Sequence, residues 1–255
     1  MEIQLSKRLL TIARMIPPGS LLADIGTDHA FLPVYLVQQG IVSRAIAGDV
    51  HPGPIKMAAR TVAEAGLSDQ IEVRMGDGLA VLRPADLESQ PQAGGAESPG
   101  APLTGAVIAG MGGGTIQGIL AAKPEITAQL DFLILQPMVD AGPLRAWLLA
   151  SGWVLAAEEL VEEEGRLYEI IMARLGNAPQ DSGLIDEVLL EVGPLLLAHH
   201  HPLLESHLDK LIQDKQRMLS QLAKSTSEQA KAKQVWAQNW LDRLVEIKRT
   251  QAGGA

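Results

Sequence analysis

The sequence predicts a doubly wound α/β domain with an antiparallel last strand, followed by a C-terminal α-helical, coiled-coil-like domain. Five short apolar runs, at residues 21–25, 46–49, 71–75, 106–109 and 132–135, end in small-residue loops and have helical stretches between them. Apolar strands alternating with helices imply a parallel sheet covered on both faces. Two further strand-like segments, 153–160 and 167–175, flank Glu162-Glu163-Glu164-Gly165-Arg166, a spacing that suits a hairpin rather than a helical crossover, so the sheet is expected to end antiparallel. Beyond residue 180 the pattern turns helical.

Taken in order, Ser6 ahead of Leu9, Leu10, Ile12, Ala13 and Ile16 reads as an amphipathic helix stopped by Pro17-Pro18-Gly19. Residues 54–65 before Gly66 and 143–150 before Gly152 read as helices between strands. Residues 84–102 are rich in Ala, Gly, Pro, Ser and Glu with almost no large apolar side chain, and are expected to form a mobile surface insertion. In the tail, Leu204, Leu208, Leu211, Lys215, Met218 and Leu222 alternate spacings of four and three, a heptad-like stripe. Ser225-Thr226-Ser227-Glu228 looks like a capping box opening a second helix, and Ala237, Leu241, Leu244 and Lys248 continue a similar stripe. A short connection pairs the two helices antiparallel. The expected domains are therefore 1–178 and 179–255. The helical arm suits packing, dimerisation or substrate contact, which leaves monomer and tail-mediated dimer both open.

The 255 residues carry 21 Lys+Arg and 30 Asp+Glu, a formal charge of −9, which argues against a surface that grips phosphates throughout. The distribution is uneven: from Glu205 onward nine Lys/Arg face six Asp/Glu, leaving 12 against 24 before it. The tail is the basic end. Without cysteine there are no disulfides, thiolate metal sites or cysteine nucleophiles. The first ten residues hold no signal-like apolar run, and nothing approaches the about 20 unbroken apolar residues of a membrane span. A cytoplasmic setting without membrane contact is expected.

The chemistry concentrates at strand ends, where doubly wound sheets bind ligands. After the first strand comes Ala23-Asp24-Ile25-Gly26-Thr27-Asp28-His29-Ala30-Phe31-Leu32-Pro33. A dinucleotide needs several spaced glycines so that amides meet its pyrophosphate, whereas here one glycine is flanked by Asp24 and Asp28. Two carboxylates suit a ligand carrying an ammonium and a sulfonium, as S-adenosylmethionine does. Asp49 closes the second strand, where a carboxylate accepts both hydroxyls of a ribose. Gly76-Asp77-Gly78 follows the third, where Asp77 suits an exocyclic adenine amine. Each acid alone also fits a turn or cap, but acids at three consecutive strand ends point to a cofactor. Ala109-Gly110-Met111-Gly112-Gly113-Gly114 ends the fourth strand and lets a flat substrate approach the backbone, although a tight turn explains part of it. Gln136-Pro137 reads as an opposite lip or a loop stop. Residues of the run His199-His200-His201 diverge in direction on a helix and lack a spaced partner, so no metal is expected. Trp147, Trp153, Trp236 and Trp240 read first as packing anchors, with Trp236 and Trp240 open to RNA.

Leu5-Ser6-Lys7-Arg8-Leu9, Ala23-Asp24-Ile25-Gly26-Thr27-Asp28-His29-Ala30, Gly76-Asp77-Gly78-Leu79, Ala109-Gly110-Met111-Gly112-Gly113, Leu135-Gln136-Pro137 and Tyr168-Glu169 occur in that order. With these motifs the chain resembles the bacterial tRNA adenine-N1 methyltransferases that act on adenine 22 of the D-arm, from about residue 3 to the final helices. The resemblance implies a Rossmann-like class I methyltransferase domain, S-adenosylmethionine as donor, tRNA as partner and a coiled-coil-like tail. It places the cofactor pocket at Gly26, Asp28, His29, Asp49, Asp77, Gly78, Gly110 and Met111. The family often has Glu where this chain has Asp49, whose shorter side chain preserves the role, and residues 84–102 look longer than the family's usual segment.

The implied reaction is in-line transfer of methyl to adenine N1, whose in-plane lone pair needs positioning more than a strong base. Asp28, Gly110 and Met111 are the candidate catalytic positions, Asp28 and the Gly110 backbone facing the developing charge. Because N1 lies on the pairing edge, the base must be unpaired or flipped. Lys7, Arg8, Arg14 and the tail cations are the candidate phosphate contacts. Competing readings are the same fold acting on another RNA or a small molecule, a non-catalytic interaction module with a vestigial pocket, and a nicotinamide dehydrogenase, which the missing glycine spacing disfavours.

Overall fold

The computed structural model describes residues 3–87, 104–176, 186–225 and 227–252, and the chain divides into two compact units, Met1–Asp181 and Ser182–Ala255. The first is a seven-stranded sheet in the order β3-β2-β1-β4-β5-β7-β6, built from β1 (Leu21–Ile25), β2 (Arg44–Asp49), β3 (Ile71–Met75), β4 (Thr104–Met111), β5 (Phe132–Pro137), β6 (Trp153–Glu163) and β7 (Arg166–Leu175). The first five strands are parallel. β7, the last in sequence, inserts antiparallel between β5 and β6, with Phe132 opposite Arg174 and Leu135 opposite Ile171. The hairpin is tighter than its sequence suggests. β6 and β7 run to Glu163 and Arg166, leaving a two-residue turn in which Glu164 (φ 52°) and Gly165 (φ 71°) both take left-handed backbone, the geometry that matches strand twist.

Among the described residues, this unit also holds helices α1 (Lys7–Met15), α2 (Phe31–Gln38), α3 (Pro52–Glu64), α4 (Pro84–Leu87), α5 (Gly113–Ala121), α6 (Pro124–Thr127) and α7 (Ala141–Ala150), with a 3-10 turn at Gly78–Val81. The hydroxyl of Ser6 caps α1 by accepting the Leu9 amide. Because side chains alternate along a strand, the sheet feeds two cores. Leu22, Val107 and Ile134 face a core with Ile12, Val34 and Val62, whereas Ala23, Ile108 and Leu135 face another with Ile116, Leu120 and Leu144. All loops that follow the parallel strands therefore open at one edge of a rigid, doubly covered sheet.

One expectation is corrected here. Residues 84–87, assigned by composition to a mobile insertion, form α4, because Asp86 takes the buried Arg74 guanidinium at 2.5 and 2.9 Å and the Arg83 amide at 2.6 Å. The rest of that expectation, and the boundary expected at 178, lie outside the described residues.

The second unit contains α8 (Glu187–Val192), α9 (Pro194–Ala198), α10 (Leu204–Leu222) and α11 (Glu228–Ala252). Lys248, late in α11, reaches Asp209 early in α10 at 2.5 Å, and Lys215 lies over the rings of Trp236 and Trp240 at 4.7 and 4.1 Å, so the two long helices run antiparallel. Leu204, Leu208 and Leu211 are buried with Ala237 and Leu244. Within the run expected to cap the second helix it is Ser227 that does so, its hydroxyl accepting the Ala230 amide at 3.2 Å. The three-histidine run is not helical either: it follows α9 in a turn with His200 at φ 48°. Among the described residues no helix is long and apolar enough to cross a membrane.

Candidate active site

The loop after β1 crosses to the end of β2, where the amides of Gly26 and Thr27 donate to the Gly48 carbonyl at 2.8 and 3.0 Å. Gly26 sits at φ +77°, which favours glycine, and the terminal methyl of Met111 lies against its open face. The Thr27 hydroxyl accepts the Ala30 amide at 3.1 Å and hydrogen-bonds Asp24. Asp24 is buried, and loss of solvation pushes its carboxyl up to about 6 against the pull of Thr27, with nearby Asp49 adding to the rise. Further along, Asp28 is exposed and holds the His29 ring at 3.2 Å, while that ring stacks on Phe31 at 5.1 Å with 11° between planes.

On the opposite side β4 bulges between Ala109 and Met111, so that Gly110 is the extra residue, at φ +77°. Its amide donates to Oε1 of Gln136 at 3.1 Å, and the same oxygen accepts a guanidinium N–H of Arg8. Gln136 is fully buried and spends its own amide on the Pro137 carbonyl at 2.9 Å. Of the neighbouring glycines, Gly113 is required by space, since a Cβ there would meet the Asp140 carbonyl oxygen at 2.3 Å.

These elements enclose a cavity of about 270 Å³ lined by Arg8, Leu9, the 24–32 loop, Ala109 and Gly110. Gly26, Asp28, His29 and Gly110 thus share one wall system. Met111 packs beneath Gly26, and Asp49 stands next to Asp24 while accepting the His51 amide at 2.7 Å. Asp77 and Gly78 line a different hollow of about 380 Å³ with Thr115, Gly118, Ile119 and Lys123. Lys7 and Arg14 are exposed on α1, but Arg8 turns into the cavity with its guanidinium 5.2 Å from the Tyr168 ring centre. Gln136, expected as an opposite lip or a loop stop, instead turns inward and holds both Arg8 and the Gly110 amide. Tyr168 and Phe31 join the site although sequence reasoning assigned them no role in it, their only signals being the Tyr-Glu motif and the position of Phe31 after the acidic loop. Among the described residues no group of three His, Cys, Asp or Glu is placed to hold a metal ion.

An acid-lined first loop at the carboxyl edge of a sheet in this strand order defines a Rossmann-like methyltransferase domain, and the methyltransferase-domain family model matches residues 5–171. The chain is 36% identical to the tRNA (adenine(22)-N(1))-methyltransferase of Bacillus subtilis over 91% of its own length and 92% of the relative's. It belongs to that family. The crystal structure of the B. subtilis m1A22 tRNA methyltransferase superposes with a TM-score of 0.81 at 34% identity, covering 97% of this chain and 100% of that one. A Streptococcus pneumoniae protein solved in complex with S-adenosyl-L-methionine superposes with a TM-score of 0.76 at 30% identity, covering 96% and 100%.

Proposed function

We propose that this protein transfers the methyl group of S-adenosylmethionine to N1 of adenine 22 in tRNA. The observation that carries the reading is the placement of Asp24 and Asp28 in one cavity with Gly26 and Gly110, at the strand ends where doubly wound sheets bind ligands, in a chain 36% identical to a tRNA (adenine(22)-N(1))-methyltransferase. The residues fit the cofactor. Asp24 and Asp28 offer carboxylates to a cationic ligand and Asp49 offers one to ribose hydroxyls, while Asp77 with Gly78, whose chemistry suits an adenine edge, lines the separate hollow. When bound, S-adenosylmethionine supplies an electrophilic methyl on a sulfonium.

The chain's part is to bind, orient and exclude water. Neutral N1 carries the lone pair that attacks, so the protein holds the ring in line and needs no base strong enough to create the nucleophile. Met111 and the bulged Gly110 form the floor on which a flat base approaches the backbone. Asp28, exposed at the rim, faces the positive charge that the ring gains. N1 lies on the pairing edge, so the nucleotide enters unpaired or flipped. Lys7 and Arg14 on α1, with Lys210, Lys224, Lys233 and Arg249 of the second unit, are exposed and form no ion pair among the described residues, which suits them to phosphates.

The test is transfer of labelled methyl to unmodified tRNA, with nucleoside analysis and a transcript carrying guanine at position 22. Label in 1-methyladenosine that vanishes with the guanine transcript is the expected result. Label elsewhere in the RNA moves the assignment to another acceptor, and S-adenosylmethionine binding without transfer to any tRNA removes it.

A further inference from the structure

Arg8 departs from the other cations of α1. It lines the first-loop cavity across from Asp24 and Asp28, and among the described residues it belongs to no ion pair. Its side chain is fixed by neutral groups: the Gln136 amide oxygen, itself pinned by the Gly110 amide at 3.1 Å, and the ring of Tyr168. A guanidinium stays charged at every physiological pH and presents a fork that matches a carboxylate. Partly withdrawn from water, with the one carboxylate bonded to this residue, Glu163, taken up by the Arg8 backbone amide at 2.8 Å and none paired with the guanidinium among the described residues, it favours an anion brought by the ligand.

The anion has two possible sources, an RNA phosphate or the cofactor's own carboxylate. The cavity separates them. A phosphate entering here would approach Asp24 and Asp28 and be repelled, whereas an α-amino-acid group brings an ammonium for the acids along with a carboxylate for the guanidinium. We infer that Arg8 is the carboxylate clamp for the methionine end of S-adenosylmethionine, held in place by Gln136 and Tyr168, and is not a tRNA phosphate contact. This rests on the proposed cofactor reading of the same cavity.

The experiment is calorimetric titration of the full chain with S-adenosylmethionine and with its decarboxylated analogue, on wild type, Arg8→Met and Arg8→Lys, beside tRNA binding at two salt concentrations. The wild type is expected to bind the analogue about tenfold or more weakly, the size of one lost charged hydrogen-bond pair. Arg8→Met should weaken S-adenosylmethionine by a similar factor, bind both ligands alike and keep wild-type tRNA affinity, and Arg8→Lys should recover part of the preference. Equal wild-type affinity for the two ligands overturns the inference whatever becomes of the variants. So does an Arg8→Met protein that loses tRNA affinity with a flatter salt slope while binding S-adenosylmethionine normally. Wild type that binds no S-adenosylmethionine overturns the cofactor reading itself, so the two failures are distinguishable.

Discussion

The amide of Gly110 donates to Oε1 of Gln136 at 3.1 Å, which ties the bulged end of β4 to the end of β5. Gln136→Leu removes that acceptor and leaves the Gly110 amide unpaired, a loss of about 1–3 kcal/mol. Because small displacements at the reacting centre are expensive, kcat for methyl transfer should fall about tenfold or more. Gln136→Glu keeps an acceptor there, although it sets an oxygen against the Pro137 carbonyl that the amide now bonds at 2.9 Å, and should retain more activity than the Leu variant. Urea melts and single-turnover rates check both. Wild-type kcat in Gln136→Leu would remove the positioning role.

Gly26 combines a left-handed backbone with close contact to Met111, whose terminal methyl lies 2.2 Å from where a Cβ would stand. A flexible methionine can swing aside, but the backbone strain stays. Gly26→Ala should therefore lose about 1–2 kcal/mol of stability and weaken S-adenosylmethionine binding, and adding Met111→Ala should recover only the packing part. Full rescue by the second substitution would show that φ at Gly26 is not limiting.

The buried Asp24 carboxyl, raised to about 6 from its ordinary 3.8, takes up a proton in the folded state that the unfolded chain still lacks. Folding is therefore penalised above about pH 6, and the penalty fades as pH falls toward the unfolded value. Asp24→Asn should stabilise the ligand-free protein by roughly 1–3 kcal/mol at pH 8, with no gain at pH 3.5. Binding runs the other way: ionisation creates the charge that attracts the cofactor's ammonium, so wild-type affinity should rise about tenfold from pH 5 to pH 8 and the Asn variant should be flatter. Thermal melts and titrations across that range decide it, and parallel pH profiles would remove Asp24 from the site.

The sheet was legible because its signal is local. Ala106, Val107 and Ile108 form an unbroken apolar run, and a strand buried on both faces needs nothing more. That Gly26, Asp28 and His29 line one cavity was legible for a related reason, since they share one short loop directly after β1. What escaped depends on residues far apart in the chain. Arg8 looked like a surface cation beside Lys7 because its partner Gln136 is 128 residues away. Residues 84–87 read as loop because their helix rests on the Asp86 pair with Arg74, 12 residues earlier. Glu164 gives no compositional hint of its left-handed backbone, and Ser225 and Ser227 are interchangeable as caps until the helix start is known.

Arg145 was unremarkable in sequence, yet it lies fully buried between Glu158, also buried, and Glu169, which its guanidinium reaches at 2.8 Å. These three residues join α7 to both strands of the β6–β7 hairpin, directly beside Tyr168. One guanidinium serves two carboxylates, so Arg145→Met strands two acids where water is scarce, and a loss of about 3–5 kcal/mol is expected. Glu158→Gln leaves Arg145 a carboxylate in Glu169 and should lose less. Since the groups form one network, the double variant should be less destabilised than the sum of the two single changes, a coupling of about 0.5–3 kcal/mol readable by urea unfolding. Additive losses would mean that Arg145 and Glu158 stabilise the hairpin independently, and that the triad is a coincidence of packing rather than a unit.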